Sequence, residues 1–446
     1  MAHDTHDDAS NPKITSPMNV HIVTAICSWL PVPDLKQCRL VSQMWNDGAI
    51  PILKKLSAVQ IKCNHTDQNY RNARLFTGLS SLGMPDNVEV IIQDRTEFPW
   101  HLNSDIWGKE FANLVFSGGA LPLKKLTLRG NIDTSGKAVF VQKLLKNCAR
   151  NLTQLNLSLI YEPNDKRLLF REPVAVKQFD SVKILDLSCI NFNSDFGLDA
   201  HKVQYLGQLM AVFRKLEDLT VDSGQTEFLV QRTDLIPRTV VKLQISGRTW
   251  TDALNDLLQI THLTLRSLTL IQMYFRRDED DLQADASVAL YNLLSRHCRT
   301  LEYLTLELVN LPSPTSVWRL PIFRNLKRFN FKYPQNFEIS FETGDSNFST
   351  TFPQIREFCL TYAWKWWGSW EPCSNYLLSD GMVCGSLKHF EIRDKGINKV
   401  SHTIEILNHG VDIDAKYARV FKMFPNADNK FVQNLRKYFI NEGTVN

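Results

Sequence analysis

His297 and Cys298 are the one adjacent histidine–cysteine pair in the sequence, a spacing at which an imidazole can activate a thiol for nucleophilic attack. Cys298 stands three residues ahead of Leu301, in a slot that elsewhere holds Phe179, Phe213, Phe323, Phe352 and Cys384. The slot takes bulky or soft apolar residues, so it predicts packing and not catalysis. No other spacing fits an active centre. There is no glycine-rich phosphate loop, no HExxH, no GxSxG, no CxxC pair and no Cys/His set at metal-ligand distance. His3, Asp4, His6, Asp7 and Asp8 sit in a polar tail expected to be solvated. The residue types therefore predict a chain with no catalytic residue, no metal and no cofactor, whose chemistry is recognition. The strongest aromatic signal is Trp364, Trp366, Trp367 and Trp370, four indoles in seven positions. Large rigid rings of this kind anchor interfaces, and they equally fill a satellite core beneath a loop.

The elements that must hold such groups follow from length and pattern. With 446 residues and 43% hydrophobic content the chain can bury a sizeable core. Fifty-one basic residues against 47 acidic ones leave a net charge of +4, too dilute to mark a nucleic-acid or membrane surface. Residues 1–17 lack the basic flank and apolar run of a signal peptide, and no run of about 18 apolar residues predicts a membrane span. Nine scattered cysteines suit a reducing compartment, and the expected location is cytoplasmic and/or nuclear. The acceptor sequons at Asn151 and Asn156 then never meet the glycosylation machinery.

From Leu56 onward the spacing apolar-x-x-apolar-x-apolar returns along the whole chain. It stands as Leu56-Val59-Ile61, Leu123-Leu126-Leu128, Leu152-Leu155-Leu157, Val182-Leu185-Leu187, Leu216-Leu219-Val221 and Val240-Leu243-Ile245. It continues as Ile260-Leu263-Leu265, Leu301-Leu304-Leu306, Leu326-Phe329-Phe331, Ile355-Phe358-Leu360 and Leu387-Phe390-Ile392. Between 62 and 122 it blurs, with Val88 to Ile92 the best strand candidate. Starts from Leu123 onward are separated by 20 to 41 residues, the range of a leucine-rich repeat. Segments from Gly136 to Cys148, Ala200 to Phe213 and Ala284 to Cys298 have helical periodicity and precede strands, as strand-then-helix units require. The predicted fold is an α/β leucine-rich-repeat solenoid, or horseshoe, over residues 53–425, with a helical cap and tail at 426–446.

Alternation along each strand sends the residues between the central apolar pair to the opposite, concave face. That face is predicted to carry Lys125, Thr127 and Arg129; Gln154 and Asn156; Asp186; Asp218, Thr220 and Asp222; Lys242 and Gln244; and His262, Thr264 and Arg266. Further along it carries Tyr303, Thr305 and Glu307; Arg328, Asn330 and Lys332; Glu357; and His389, Glu391 and Arg393. Mixed signs with Tyr303, Arg328 and His389 suit a protein surface better than a phosphate backbone, which wants a continuous basic stripe. Those three residues and the four tryptophans are the candidate substrate contacts.

Ahead of the repeats, and after a tail at 1–15 expected to be disordered, residues 16–52 predict three short helices. The first is expected to start at Ser16-Pro17 and stop at Pro31, the second to start at Pro33-Asp34, and the third after Ser42. So short a piece buries too little surface to stand alone. The order Ile26, Leu30, Pro31, Asp34, Leu35, Cys38, Arg39, Leu40, Val41 and Trp45 resembles an F-box, with Met18-Asn19-Val20-His21 where that family usually opens Leu-Pro-x-Glu. The repeats resemble the C-terminal half of F-box proteins with leucine-rich repeats. The resemblance implies an all-α F-box of three helices that binds a Skp-type adaptor through Met18, Ile22, Val23, Ile26, Leu30, Pro31, Leu35, Leu40, Val41 and Trp45. Through the adaptor it implies a cullin-RING ubiquitin ligase, with this chain as the non-catalytic receptor of a protein substrate, and with no nucleic-acid or membrane partner. The alternative is a leucine-rich-repeat interaction scaffold with no ligase role, in which the helices are only an N-terminal cap.

Overall fold

The computed structural model describes residues 19–56, 58–63, 87–92, 123–132, 141, 144–146, 148, 150–161, 179–188, 191–192, 206–207, 210–247, 251–274, 280–309, 317–333, 338–341, 348–362 and 384–394. Three helices open it: α1 (Val20–Cys27), α2 (Val32–Cys38) and α3 (Gln43–Leu56). The expected start at Ser16-Pro17 is corrected: Asn19 is the N-cap of α1, and its side-chain oxygen accepts from the His21 amide at 3.0 Å. Pro31 does not end α1 either. That helix stops at Cys27, and Pro31, which has no amide hydrogen to leave unpaired, stands at the N-cap of α2. Ser42 behaves as expected, its hydroxyl accepting from the Trp45 amide at 3.4 Å in the first turn of α3. Val23, Cys27, Leu35, Ala49 and Leu53 form the small core where the three helices meet.

The body is α/β and is built on one parallel sheet that is open at both ends. Its strands are β1 (Ala58–Cys63), β2 (Asn87–Ile92), β3 (Lys125–Ile132), β4 (Gln154–Tyr161), β5 (Ile184–Asp186) and β6 (Asn191–Phe192). They continue as β7 (Asp218–Asp222), β8 (Lys242–Ser246), β9 (Ser267–Tyr274) and β10 (Tyr303–Val309). Two more, β11 (Val317–Leu320) and β13 (Glu338–Phe341), pair with each other apart from the rest. The last are β12 (Arg328–Tyr333), β14 (Glu357–Tyr362) and β15 (His389–Asp394). In the main sheet the order is β1-β2-β3-β4-β5-β7-β8-β9-β10-β12-β14-β15, with β6 attached to β4. Strand order in space thus repeats order in sequence.

Each crossover between parallel neighbours needs a return segment, and four described helices fill that role: α4 (Thr226–Gln231), α5 (Thr251–Gln259), α6 (Asp280–His297) and α7 (Phe348–Thr351). The first three pack side by side, α4 on α5 and α5 on α6. The helices expected before β4 and β7 are represented by helical residues at 141, 144–146 and 148 and at 206–207 and 210. Helices α4 and α5 lie in stretches for which the periodicity made no prediction. The acidic run at 276–281 ends in α6, whose first residues are Asp280 and Asp281.

Register follows the apolar pattern. Val59, Val88, Leu126, Leu155, Leu185, Leu219 and Leu243 stand opposite one another in turn, and the row runs on through Leu268, Leu304, Phe329, Phe358 and Phe390. The described members of this row from Val88 to Phe358 are buried, because period two sends them all to the covered face. One expected strand is corrected. Ile260-Leu263-Leu265 is not a strand: the sheet takes β9, which puts Leu265-Leu268-Leu270 in the pattern, 25 residues after Val240 and 36 before Leu301. Ile260 instead follows α5, its amide donating to the Leu257 carbonyl at 3.2 Å.

The pre-strand slot is a packing position. Phe179, Phe213, Phe323, Phe352 and Cys384 are buried, Cys148 is buried one residue ahead of the slot, and Cys298 packs against the same core. The rings of Phe179 and Phe213 lie 5.3 Å apart and those of Phe323 and Phe352 5.7 Å apart. Gly130 shows where the sheet tolerates no side chain: its φ is +139°, and a Cβ there would run into the carbonyl oxygen of Ile92, its register partner. We expect Gly130→Ala to cost about 1–3 kcal/mol, the usual cost of a strained backbone position, read as a lowered denaturation midpoint. A midpoint unchanged from the parent would show that β2 and β3 move apart freely.

Candidate functional site

Two surfaces carry the residues singled out by the sequence. The first is the outer side of the three-helix module. Of its apolar residues Val23 and Leu35 are fully buried, and Leu30 and Trp45 are half-buried against the same cluster. Those four are spent on internal packing. Ile22, Ile26, Leu40 and Val41 are exposed, and so is Pro31. Trp29, absent from the expected contact set, is the most exposed of all at 87%, against 80% for Leu40 and 67% for Val41. Its signal was present as one more apolar position that carries the helical spacing of Ile22 and Ile26 past the end of α1. Met18 lies outside the described residues.

The concentration of these side chains matters more than any one exposure. Among the described residues the large exposed apolar side chains are Val20, Ile22, Ile26, Trp29, Leu40, Val41, Leu56, Val288 and Tyr303. Six of those nine fall between residues 20 and 41. Scattered exposed hydrophobes are ordinary, but a cluster on one small module marks an interaction surface. Two turns set it out. The Trp29 amide donates to the Ile26 carbonyl at 3.1 Å at the end of α1, and the Leu40 amide donates to the Gln37 carbonyl at 2.9 Å at the end of α2. Arg39 points the other way, its Nε donating to Asn46 Oδ1 at 2.9 Å and tying the second turn to α3.

The second surface is the uncovered face of the sheet. Tyr303, Arg328, Glu357 and His389 stand in one register row across β10, β12, β14 and β15, so three candidate contacts converge on neighbouring strands. Tyr303 is 43% exposed. Arg328 does not offer a free charge: its Nε donates to Glu357 Oε2 at 2.6 Å. Neighbouring strands neutralise one another elsewhere too, with Arg129 on Glu89 at 2.9 Å, Lys242 on Asp218 at 3.9 Å, and Lys332 on Glu307. Cross-strand pairs of this kind, most with at least one half-buried partner, cancel the field a charged ligand would feel. Burial pushes the Asp218 carboxyl up, Lys242 holds it down and Asp186 pushes it up again.

Not every expected position is exposed on this face. Thr127 stands on it, in register with Glu89 and Asn156, but is buried. His262, Thr264 and Arg266 precede β9 instead of lying on it, and the His262 Nε2 sits 3.2 Å from the Ile236 carbonyl oxygen. Their places are taken by Ser267 and Thr269. Trp364, Trp366, Trp367 and Trp370 lie outside the described residues, as does the expected cap at 426–446. Among the described residues no group of His, Cys, Asp and Glu is arranged to hold a metal ion, and no helix is long and apolar enough to cross a membrane.

His297 is buried with a pKa pushed down to about 4, first by burial and then by the Arg296 charge. Its imidazole is therefore enclosed and neutral near pH 7, and Cys298 beside it packs against the core. Compared with known proteins, the chain matches no family model and no curated sequence.

Proposed function

We propose that this chain is the substrate-recognition subunit of an SCF-type ubiquitin ligase: an F-box docks a Skp-type adaptor, and through it a cullin-RING core, while leucine-rich repeats hold a protein substrate. The observation that carries the reading is the cluster Ile22, Ile26, Trp29, Leu40 and Val41, exposed on a three-helix module that precedes a long recurrent sheet. A core too small to stand alone and an apolar exterior both call for a helical partner that covers α1 and the α2–α3 turn. The recurrence of strands in chain order supports a solenoid reading of the body, since the described strands of the main sheet pair in the order in which they follow along the chain.

No side chain here performs chemistry in this scheme. The substrate is held where the ubiquitin-charged partner of the ligase meets its lysines, so the rate comes from effective concentration. A sheet face with self-neutralised charges favours shape and neutral hydrogen bonding at Tyr303 and its neighbours over charge steering.

The test is binding of purified full chain to a Skp-type adaptor. Leu40→Asp should weaken it at least about 30-fold, the loss of one hot-spot contact made worse by an unpaired carboxylate in an apolar interface. Because Leu40 is exposed, the variant should unfold at the parent midpoint. A folded parent chain that does not bind the adaptor would overturn the ligase reading and leave an interaction scaffold capped by three helices.

A further inference from the structure

The same helical module holds two cysteines in an arrangement that docking does not use. Cys27 is the last residue of α1 and Cys38 the last residue of α2, and both are free thiols. Cys27 is fully buried in the small core and Cys38 is half-buried against the same core, near enough to act on the Cys27 thiol. Each also holds one of the two turns that present the exposed apolar side chains. The Cys27 carbonyl accepts from the Leu30 amide at 3.1 Å, closing the turn that carries Trp29. The Cys38 carbonyl accepts from the Val41 amide at 3.1 Å, closing the turn that carries Leu40.

We propose that Cys27 and Cys38 are an oxidation site, converted by a low-molecular-weight disulfide such as oxidised glutathione into an intramolecular disulfide that shifts the two turns and weakens docking on this face. The effect on docking rests on the adaptor reading above; the oxidation does not.

The steps balance. Cys38, the more accessible sulfur, loses its proton to solvent and attacks one sulfur of oxidised glutathione. The glutathione S–S bond breaks, one glutathione thiolate leaves, and a mixed disulfide remains on Cys38. Cys27 then loses its proton and attacks the Cys38 sulfur, and the second glutathione thiolate departs and is protonated by water. Two protein thiols are oxidised by two electrons, and one glutathione disulfide is reduced to two thiols. Burial, with Cys38 beside it, pushes the Cys27 thiol up, so at neutral pH it is protonated and the pair rests reduced until an oxidant reaches Cys38. Bond formation draws the two sulfurs to covalent distance, and the helix ends must follow.

The experiment treats the full chain with oxidised glutathione, blocks remaining thiols, and maps disulfides by mass spectrometry of unreduced peptides. Adaptor binding is measured on the same samples before and after dithiothreitol. The expected result is a Cys27–Cys38 linked peptide, adaptor affinity at least tenfold lower in the oxidised sample, and recovery on reduction. Cys38→Ser should show no link and no redox response while binding as the reduced parent does, and Cys38→Ala serves if the serine variant folds poorly. Oxidation of other cysteines with Cys27 and Cys38 still reduced would overturn the site. A quantitative Cys27–Cys38 link with unchanged affinity would overturn its control of docking. If the reduced parent does not bind the adaptor, the docking reading fails on its own, and the peptide map still decides whether the thiols pair.

Discussion

Phe329→Ala should lower the stability of the sheet by about 3–5 kcal/mol, the largest loss expected from any single substitution in the described residues. Phe329 is fully buried on β12, between Leu304 of β10 and Phe358 of β14. Its ring centroid lies 5.5 Å from that of Phe331, 5.7 Å from Phe352 and 5.6 Å from Phe358. Truncation removes a ring that touches all three and leaves a cavity between rings of which Phe331 and Phe358 are held on sheet strands, so little collapse can relieve it. Because each strand is covered by its sequence neighbours, the damage should spread to β10 and β14 together. The measurement is the urea midpoint with far-UV circular dichroism. Phe329→Leu, which keeps most of the volume, should lose less than half as much. Equal losses for Ala and Leu would show that ring-to-ring contact, and not cavity volume, is what the site needs.

The strand ladder was legible from spacing alone because the covered face of a parallel sheet demands an apolar residue at every second position, and the sequence supplies it from Val59 to Phe390. The one wrong register has a physical cause. Leu265 belongs to two overlapping patterns, one starting at Ile260 and one at Leu265 itself, and apolar spacing cannot choose between them. A second signal could have chosen. Ser181, Thr239, Thr300 and Asn325 each stand immediately before the first apolar position of a strand unit, and each donates a side-chain hydrogen bond to a backbone carbonyl of the preceding unit: Arg150, Leu216, Leu265 and Arg299. Thr264 fills that slot before Leu265, whereas Gln259 precedes Ile260.

The helical module was legible in its parts and not in its sorting. Helical spacing groups Ile22, Val23, Ile26, Trp29 and Leu30 as one apolar set, yet only Val23 among them is fully buried. Periodicity cannot separate a side chain that packs within the chain from one that awaits a partner, because both must be apolar. Only the packing of α1 and α2 on α3 divides them.

The second large effect is expected from pH, and it centres on His297. The folded chain holds this imidazole at about 4 and the unfolded chain at its ordinary value near 6.5, so between those limits the unfolded chain binds a proton that the folded chain refuses. Stability from this group is therefore complete above about pH 6.5 and is lost progressively as the pH falls toward 4, by roughly 3 kcal/mol in all. Asp218 works in the opposite sense. Its raised carboxyl keeps a proton in the folded chain that the unfolded chain has released, so its own contribution improves as the pH falls through its folded value. The two are separated by comparing urea midpoints at pH 7.5, 6 and 5 for the parent and for His297→Gln, values chosen at roughly unit steps across the histidine range. The variant should start lower, since glutamine fills the site poorly, but its midpoint should fall less steeply between pH 7.5 and 5. Parallel slopes would show that His297 takes up its proton without unfolding, and that the pocket beside Arg296 opens to water at mild acid.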